Sequence, residues 1–202
     1  MFTGLIREIA DVDDFSNSKL TIKSKLSPSV GDSIAVNGAC LTVVESSQNS
    51  FSVELSPESS SILAIENYKE KVHIEPAMKL SDRLEGHIVQ GHIDCVGKVV
   101  KIEKSGNSFD YYITIPKEFA KFLVPKGSVA VDGVSLTIND VKDATFRLTI
   151  IPHTIKNTLI KNYKVGTRVN IETDMFARYI FHMFKKEKDL SWDEVEGIMA
   201  RW

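Results

Sequence analysis

The chain repeats itself at an offset of 95 residues. Residues 33–59 align without a gap to residues 128–154, and eight of the 27 positions are identical. The identities include Ala35/Ala130, Val36/Val131, Gly38/Gly133, Leu41/Leu136, Thr42/Thr137, Phe51/Phe146 and Pro57/Pro152. The match continues at Tyr68/Tyr163. After a two-residue insertion, residues 73–75 meet residues 170–172. In a looser register, Gly4-Leu5-Ile6 corresponds to Gly91-His92-Ile93. An ordered set of matches like this implies a duplicated unit. The length of 202 residues allows two small domains.

Each half reads as short strands. Residues 33–36 and 41–44 are apolar and β-branched runs separated by Asn37-Gly38, a strong hairpin-turn dipeptide. Asp132-Gly133 repeats the turn in the second half. Residues 51–55, 111–115 and 146–150 alternate as half-buried strands do. Closure into a barrel removes exposed sheet edges. The expected fold is therefore all-β: two tandem six-stranded Greek-key barrels related by internal duplication, at residues 1–86 and 87–173.

Residues 174–202 depart from this pattern. Met175, Phe176, Tyr179, Ile180, Met183 and Phe184 have the spacing of an amphipathic helix, and Lys185-Lys186 suit the negative end of its dipole. Ser191 and Glu194 have the spacing of a capping box for a second helix. The aromatic stripe either packs on its own barrel or meets copies of itself in an oligomer.

Charge and cysteine content narrow the function classes. Lys and Arg number 25 against 27 Asp and Glu, which gives no basic excess for nucleic acid or an anionic membrane. Cys40 and Cys95 are too few for a disulfide framework and lack metal-ligand spacing. The N-terminus shows no basic segment followed by an apolar one, and no apolar run approaches a membrane span of about 20 residues. A soluble cytoplasmic protein is expected, with no metal site.

The repeats are most alike where a turn meets the next strand. Cys40-Leu41-Thr42 corresponds to Ser135-Leu136-Thr137. Two similar ligands, or one pseudo-symmetric ligand, would suit such a pair. Thiol and hydroxyl are both potential nucleophiles. A small Cys and Ser beside a turn could equally be structural. His87 and His92, five apart, would point to opposite faces of a strand and make a poor metal pair. Composition, periodicity and spacing specify a duplicated barrel with polar residues at matched places.

The residues nevertheless carry a resemblance. MFTGLI, VNGACLTV, GHIVQGHID, VAVDGVSLTI, IIPHT and VNIE occur in an order and spacing that resemble the trimeric riboflavin synthase family, across about residues 1–180. The resemblance implies two lumazine-binding barrels and a C-terminal helix used in a homotrimer. It implies the dismutation of two 6,7-dimethyl-8-ribityllumazine molecules to riboflavin and 5-amino-6-(D-ribitylamino)uracil, without metal or organic cofactor. It places the active site between the N-terminal barrel of one subunit and the C-terminal barrel of its neighbour, and it makes lumazine synthase a conceivable partner.

Carried onto this chain, the resemblance implies reacting or ring-contacting roles for Phe2, Cys40, His92, Ser135 and Thr137, with His92 as base or proton relay. It assigns to the N-terminal barrel the substrate contacts Gly4, Leu5, Ile6, Cys40, Leu41, Thr42, Glu54, Leu55, Ser56, Pro57, Glu58 and Ser59. It assigns to the C-terminal barrel Gly91, His92, Ile93, Lys126, Ser135, Leu136, Thr137, Thr149, Ile150, Ile151, Pro152, His153 and Thr154. One departure is Glu85-Gly86, where the family often has two glycines; Glu tolerates positive φ poorly, so a different backbone or pocket rim is expected there. A competing function is a non-catalytic lumazine- or flavin-binding protein of the same fold. The intact Cys40-Leu41-Thr42 and Ser135-Leu136-Thr137 favour the enzyme.

Overall fold

The structure is a computed structural model and describes residues 1–187. The expected capping box at Ser191 and Glu194 lies outside the described residues. The first repeat forms β1 (Glu8–Ser16), β2 (Lys19–Lys23), β3 (Ser33–Val36), β4 (Ala39–Ser46), β5 (Ser50–Glu54) and β6 (Lys71–Pro76). These close into an antiparallel barrel in the order β1-β2-β5-β4-β3-β6. The second repeat forms β7 (Cys95–Ser105), β8 (Ser108–Thr114), β9 (Ser128–Val131), β10 (Val134–Lys142), β11 (Thr145–Ile150) and β12 (Arg168–Thr173). Its barrel has the same order, β7-β8-β11-β10-β9-β12.

Local sequence explains the closure. Asn37-Gly38 and Asp132-Gly133 take positive φ at both turn positions, the geometry that matches a two-residue hairpin to the strand twist. Register shifts occur between Val12 and Asp14 on β1 and between Val43 and Glu45 on β4, and at the repeat positions on β7 and β10. Such bulges bend a strand and let a short sheet curl shut. Alternation then fills each barrel with Leu20, Ile22, Phe51 and Val53, or with Ile113, Ile138, Phe146 and Leu148. Each large side chain so buried contributes roughly 1.5–3 kcal/mol.

The barrels meet across a pseudo-twofold seam. Phe2 and Val89, repeat partners in the looser register, exchange backbone hydrogen bonds of 2.7 and 3.1 Å. A Cβ on Gly38 would stand 2.6 Å from the Gly133 nitrogen, so the two turns approach more closely than any side chain permits. His73 bridges the barrels: its Nδ1 lies 2.9 Å from the Asp132 carbonyl, and its Nε2 accepts from the Leu159 amide at 2.7 Å. Asn170, in the equivalent position, accepts from the Ala64 amide and donates to the Asn37 carbonyl.

Helices are few. α1 (Pro57–Ile62) and α2 (Pro152–Asn157) are repeat partners that follow β5 and β11, each with Pro in its first turn. α3 (Met175–Glu187) follows β12. Its first turn is anchored, and the Phe181 ring meets Phe122 edge-on at 5.5 Å. Phe176, Tyr179, Ile180, Met183 and Phe184 remain exposed. Of the two packings open to this stripe, docking on its own barrel is not the one observed. No described helix is long and apolar enough to cross a membrane.

Candidate active site

Residues 1–6 and 87–93 lead into the two barrels, yet each leader lies against the other barrel. Ile6 packs on the core of the second barrel and Ile93 on that of the first. The Ser135 amide donates to the Gly4 carbonyl at 2.8 Å, and the Cys40 amide donates to the Gly91 carbonyl at 2.9 Å. Gly4 and Gly91 have φ of +76° and +81°. A Cβ would stand 2.6 Å from Ser135 Cβ in one case and 2.5 Å from Cys40 Cβ in the other. Glycine is therefore required by both conformation and space.

This exchange builds two clefts. One, of about 220 Å³, is lined by Ala39, Cys40, Glu58, Ser59, Ile62, Leu63, Gly91, His92 and Ile93. The other, of about 150 Å³, is lined by Val134, Ser135, His153, Thr154, Asn157, Thr158, Gly4, Leu5 and Ile6. Every residue of one is the repeat partner of a residue in the other. The structure groups these residues differently from the sequence expectation. Gly4-Leu5-Ile6 stand with Ser135, and Gly91-His92-Ile93 stand with Cys40, because the leaders cross the seam.

The two reactive positions differ in their neighbours. Ser135 Oγ is 2.7 Å from His87 Nδ1. Burial pushes the His87 imidazolium below its ordinary range, with Asp174 acting in the opposite sense, so the ring is neutral at pH 7. Its Nε2 is buried without a hydrogen-bond partner. The His87 amide donates to the Thr3 carbonyl at 3.1 Å, which fixes the backbone that carries the ring. Cys40 is half-buried, and no described histidine hydrogen-bonds its thiol. His92 is exposed in the Cys40 cleft. A hydroxyl beside a neutral imidazole has the arrangement of an activated nucleophile or proton relay.

Other expected contacts fall outside the clefts. Phe2 is fully buried against Ala35, Val89 and Ala130; it anchors the leaders and lines neither cleft. Leu41, Leu55 and Ile150 point into the barrel cores, and Leu136 packs against one. Thr42 and Thr137 lie two residues beyond Cys40 and Ser135, on the outer faces of β4 and β10, and Glu54 pairs with Thr42. Ser56 caps α1 by accepting from the Ser59 amide, and Pro57 and Pro152 begin their helices. The Thr149 hydroxyl donates to Asp110 at 2.7 Å, and Ile151 is exposed. Lys126 stands in a turn at φ +67°, away from both clefts.

The rim at Glu85 also differs from expectation. Glu85 does not take positive φ and pairs with Arg83 at 3.6 Å. The tight position is Gly86, where a Cβ would lie 1.9 Å from the Thr3 carbonyl oxygen. Sequence reasoning missed Ile62, Leu63, Asn157 and Thr158, which continue α1 and α2 by one turn beyond the expected segments. It also missed His87 as the partner of Ser135, since 48 residues separate them. A larger cleft of about 830 Å³ near Arg7, Pro28, Lys79 and Arg83 contains none of the expected site residues. Among the described residues, no group of three or more His, Cys, Asp or Glu could hold a metal ion.

The paired clefts coincide with a known repeat. The lumazine binding domain family matches residues 3–77 and 90–174. The chain is 41% identical to a riboflavin synthase of Photobacterium phosphoreum, over 93% of this chain and 91% of that protein. It is 38% identical to a riboflavin synthase of Bacillus subtilis, over 94% and 92%. The chain belongs to the riboflavin synthase family. A riboflavin synthase of Schizosaccharomyces pombe is 36% identical over 89% and 91%. Among solved structures, a LumP chain complexed with riboflavin is similar in fold, with a TM-score of 0.76 and 22% identity over 86% of this chain and 99% of that one. LumP complexed with 6,7-dimethyl-8-(1'-D-ribityl) lumazine has a TM-score of 0.73 at 20% identity, over the same shares.

Proposed function

We propose that the chain is a riboflavin synthase acting at the last step of riboflavin biosynthesis. Two molecules of 6,7-dimethyl-8-ribityllumazine react. One transfers a four-carbon unit to the other, giving riboflavin and 5-amino-6-(D-ribitylamino)uracil. The observation that carries this reading is the twinned cleft: one substrate used twice suits two pockets lined by repeat partners, with Cys40 in one and Ser135 in the other.

The chemistry assigns work to these residues. Loss of a proton from the lumazine 7-methyl gives an anion delocalised into the ring, so a base is needed beside one molecule. A nucleophile adding at ring carbon 7 prepares the other. Ser135, with neutral His87 at 2.7 Å, supplies a hydroxyl and an acceptor for its proton. His92 supplies an exposed imidazole beside Cys40. Phe2 serves by positioning the leaders, while Thr137 stays on the outer face of β10, two residues beyond Ser135. Holding two flat rings face to face contributes through orientation.

The complete site pairs the Cys40 cleft of one subunit with the Ser135 cleft of another in a cytoplasmic homotrimer. The exposed aromatic stripe of α3 supports assembly through that helix. Lumazine synthase, which would supply the substrate, is a partner consistent with this role. A second reading, a non-catalytic binder, has in its favour the fold shared with LumP. Incubating purified protein with the lumazine and following riboflavin by absorbance and chromatography separates the two. Formation of riboflavin and the pyrimidine in equal amounts supports the enzyme; tight binding without turnover establishes the binder.

A further inference from the structure

The two leaders are held against their clefts by equivalent carboxylates but in unequal ways. In the first repeat, Glu75 accepts from the amides of Thr3 and Gly4 at 2.7 and 3.0 Å, and from the Thr3 hydroxyl at 2.7 Å. That arrangement needs nothing outside the leader and β6. In the second repeat, Glu172 accepts from the amides of Gln90 and Gly91 at 2.7 and 2.8 Å. Gln90 stands where Thr3 stands and brings no hydroxyl to the carboxylate.

The missing bond is replaced from α3. Arg178 Nη2 donates to Gln90 Oε1 at 2.8 Å, and its Nη1 donates to Asp94 Oδ1 at 2.7 Å. The same guanidinium lies 3.9 Å from Glu172. Asp94 also accepts from the amide and hydroxyl of Thr173 at 2.7 and 2.6 Å. The corresponding residues of the first repeat are Arg7 and Pro76, and proline has no N–H to donate. Among the described residues, Glu75 forms no ion pair.

We propose that Arg178 is a positioning residue for the Cys40 cleft: by gripping Gln90 and Asp94 on either side of Gly91-His92-Ile93, it holds that leader against Cys40 and ties this cleft, but not the Ser135 cleft, to the placement of α3. The planar fork suits two acceptors at once, which an ammonium does not. Because α3 also carries the exposed aromatic stripe, whatever fixes the helix also steadies the cleft. The proposal takes the clefts as lumazine sites from the reading above, and the positioning itself rests on hydrogen bonds alone.

The test compares full-length Arg178→Met and Arg178→Lys with the parent. Hydrogen exchange by mass spectrometry should show faster exchange in Arg178→Met for peptides containing Gly91 and Cys40, with those containing Gly4 and Ser135 unchanged. Riboflavin titration followed by fluorescence should show one class of site weakened by roughly tenfold, the scale of one charge-assisted hydrogen bond, and the other class retained. KM should rise more than kcat falls, and Arg178→Lys should fall between parent and Arg178→Met. Equal change in both clefts, or none in either, overturns the proposal, and the unchanged Ser135 peptides separate it from general unfolding. If the parent binds no riboflavin, the functional reading fails while the exchange pattern still decides the positioning.

Discussion

The Cys40 amide donates to the carbonyl of Gly91, 2.9 Å away, so one wall of a cleft in the first barrel comes from the segment that leads into the second. Adding a methyl there tests how much depends on this contact. An alanine at φ +81° costs about 1–2 kcal/mol in backbone strain, and its Cβ would sit 2.5 Å from Cys40 Cβ. Gly91→Ala should lower the Tm, by roughly 2–4 °C per kcal/mol lost, and should abolish ligand binding at the Cys40 cleft. Calorimetry with riboflavin titration checks both; unchanged Tm and full occupancy would show that the leader is not seated as described.

The His87–Ser135 pair predicts coupled losses. His87→Ala and Ser135→Ala should each reduce turnover by roughly 10²-fold or more. The double variant should be little worse than either, because the two groups act as one unit. Cys40→Ala, with no bonded imidazole, should not join this cycle. Since burial depresses the His87 pKa, any acid limb of activity that it causes should lie below pH ~6.5. Steady-state rates from pH 5 to 8 on the four proteins measure both effects. Additive losses would separate His87 from Ser135 in mechanism.

Much of the fold was legible in the chain. The 95-residue offset identified both barrels, and Asn37-Gly38 and Asp132-Gly133 marked real hairpins because their backbone requirement is local. The Cys40/Ser135 correspondence was legible from the same 95-residue offset. The crossing of Gly4-Leu5-Ile6 and Gly91-His92-Ile93 was not, since both leaders match one another whichever barrel they touch. His87 gave no sign of Ser135, because a hydrogen bond across 48 residues leaves no spacing to read. Phe2 shows the converse: the family resemblance implies an active-site role, while its full burial makes it an anchor.

Asp132 gives a pH prediction. Burial lifts its carboxyl to about 7, opposed by bonds from Tyr163 and the Asn170 amide. Its pKa in the unfolded chain is near 3.9. The folded state thus binds the proton more tightly, so this residue's contribution to stability is present below pH ~4 and is lost as pH rises through about 7. Glu172, also lifted to about 7, acts in the same direction. His73, lowered to about 4 by burial, acts oppositely and favours the fold above its ordinary pKa. Asp132→Asn, which copies Asn37 of the other repeat, should gain stability relative to the parent as pH rises from 5 to 8. Urea denaturation at several pH values tests this; parallel curves would exclude an ionising Asp132 at the seam.

α3 presents an apolar stripe. Phe176, Tyr179, Ile180, Met183 and Phe184 are each more than half exposed, a larger apolar stripe than a lone helix leaves in water without cause. If like helices cover it, each large side chain buried contributes roughly 1.5–3 kcal/mol, and two charges placed in the stripe must weaken association. Phe176→Glu with Ile180→Glu should therefore shift the protein toward monomer at micromolar concentration. Both barrels should persist, because their cores lie elsewhere. Under the proposed pairing of the Cys40 cleft of one subunit with the Ser135 cleft of another, activity should fall with association and recover as protein concentration rises. Sedimentation velocity and riboflavin formation, measured on one sample across a dilution series, follow both quantities. A variant that is monomeric throughout the series yet turns over at the parental rate would mean that one chain completes its own site.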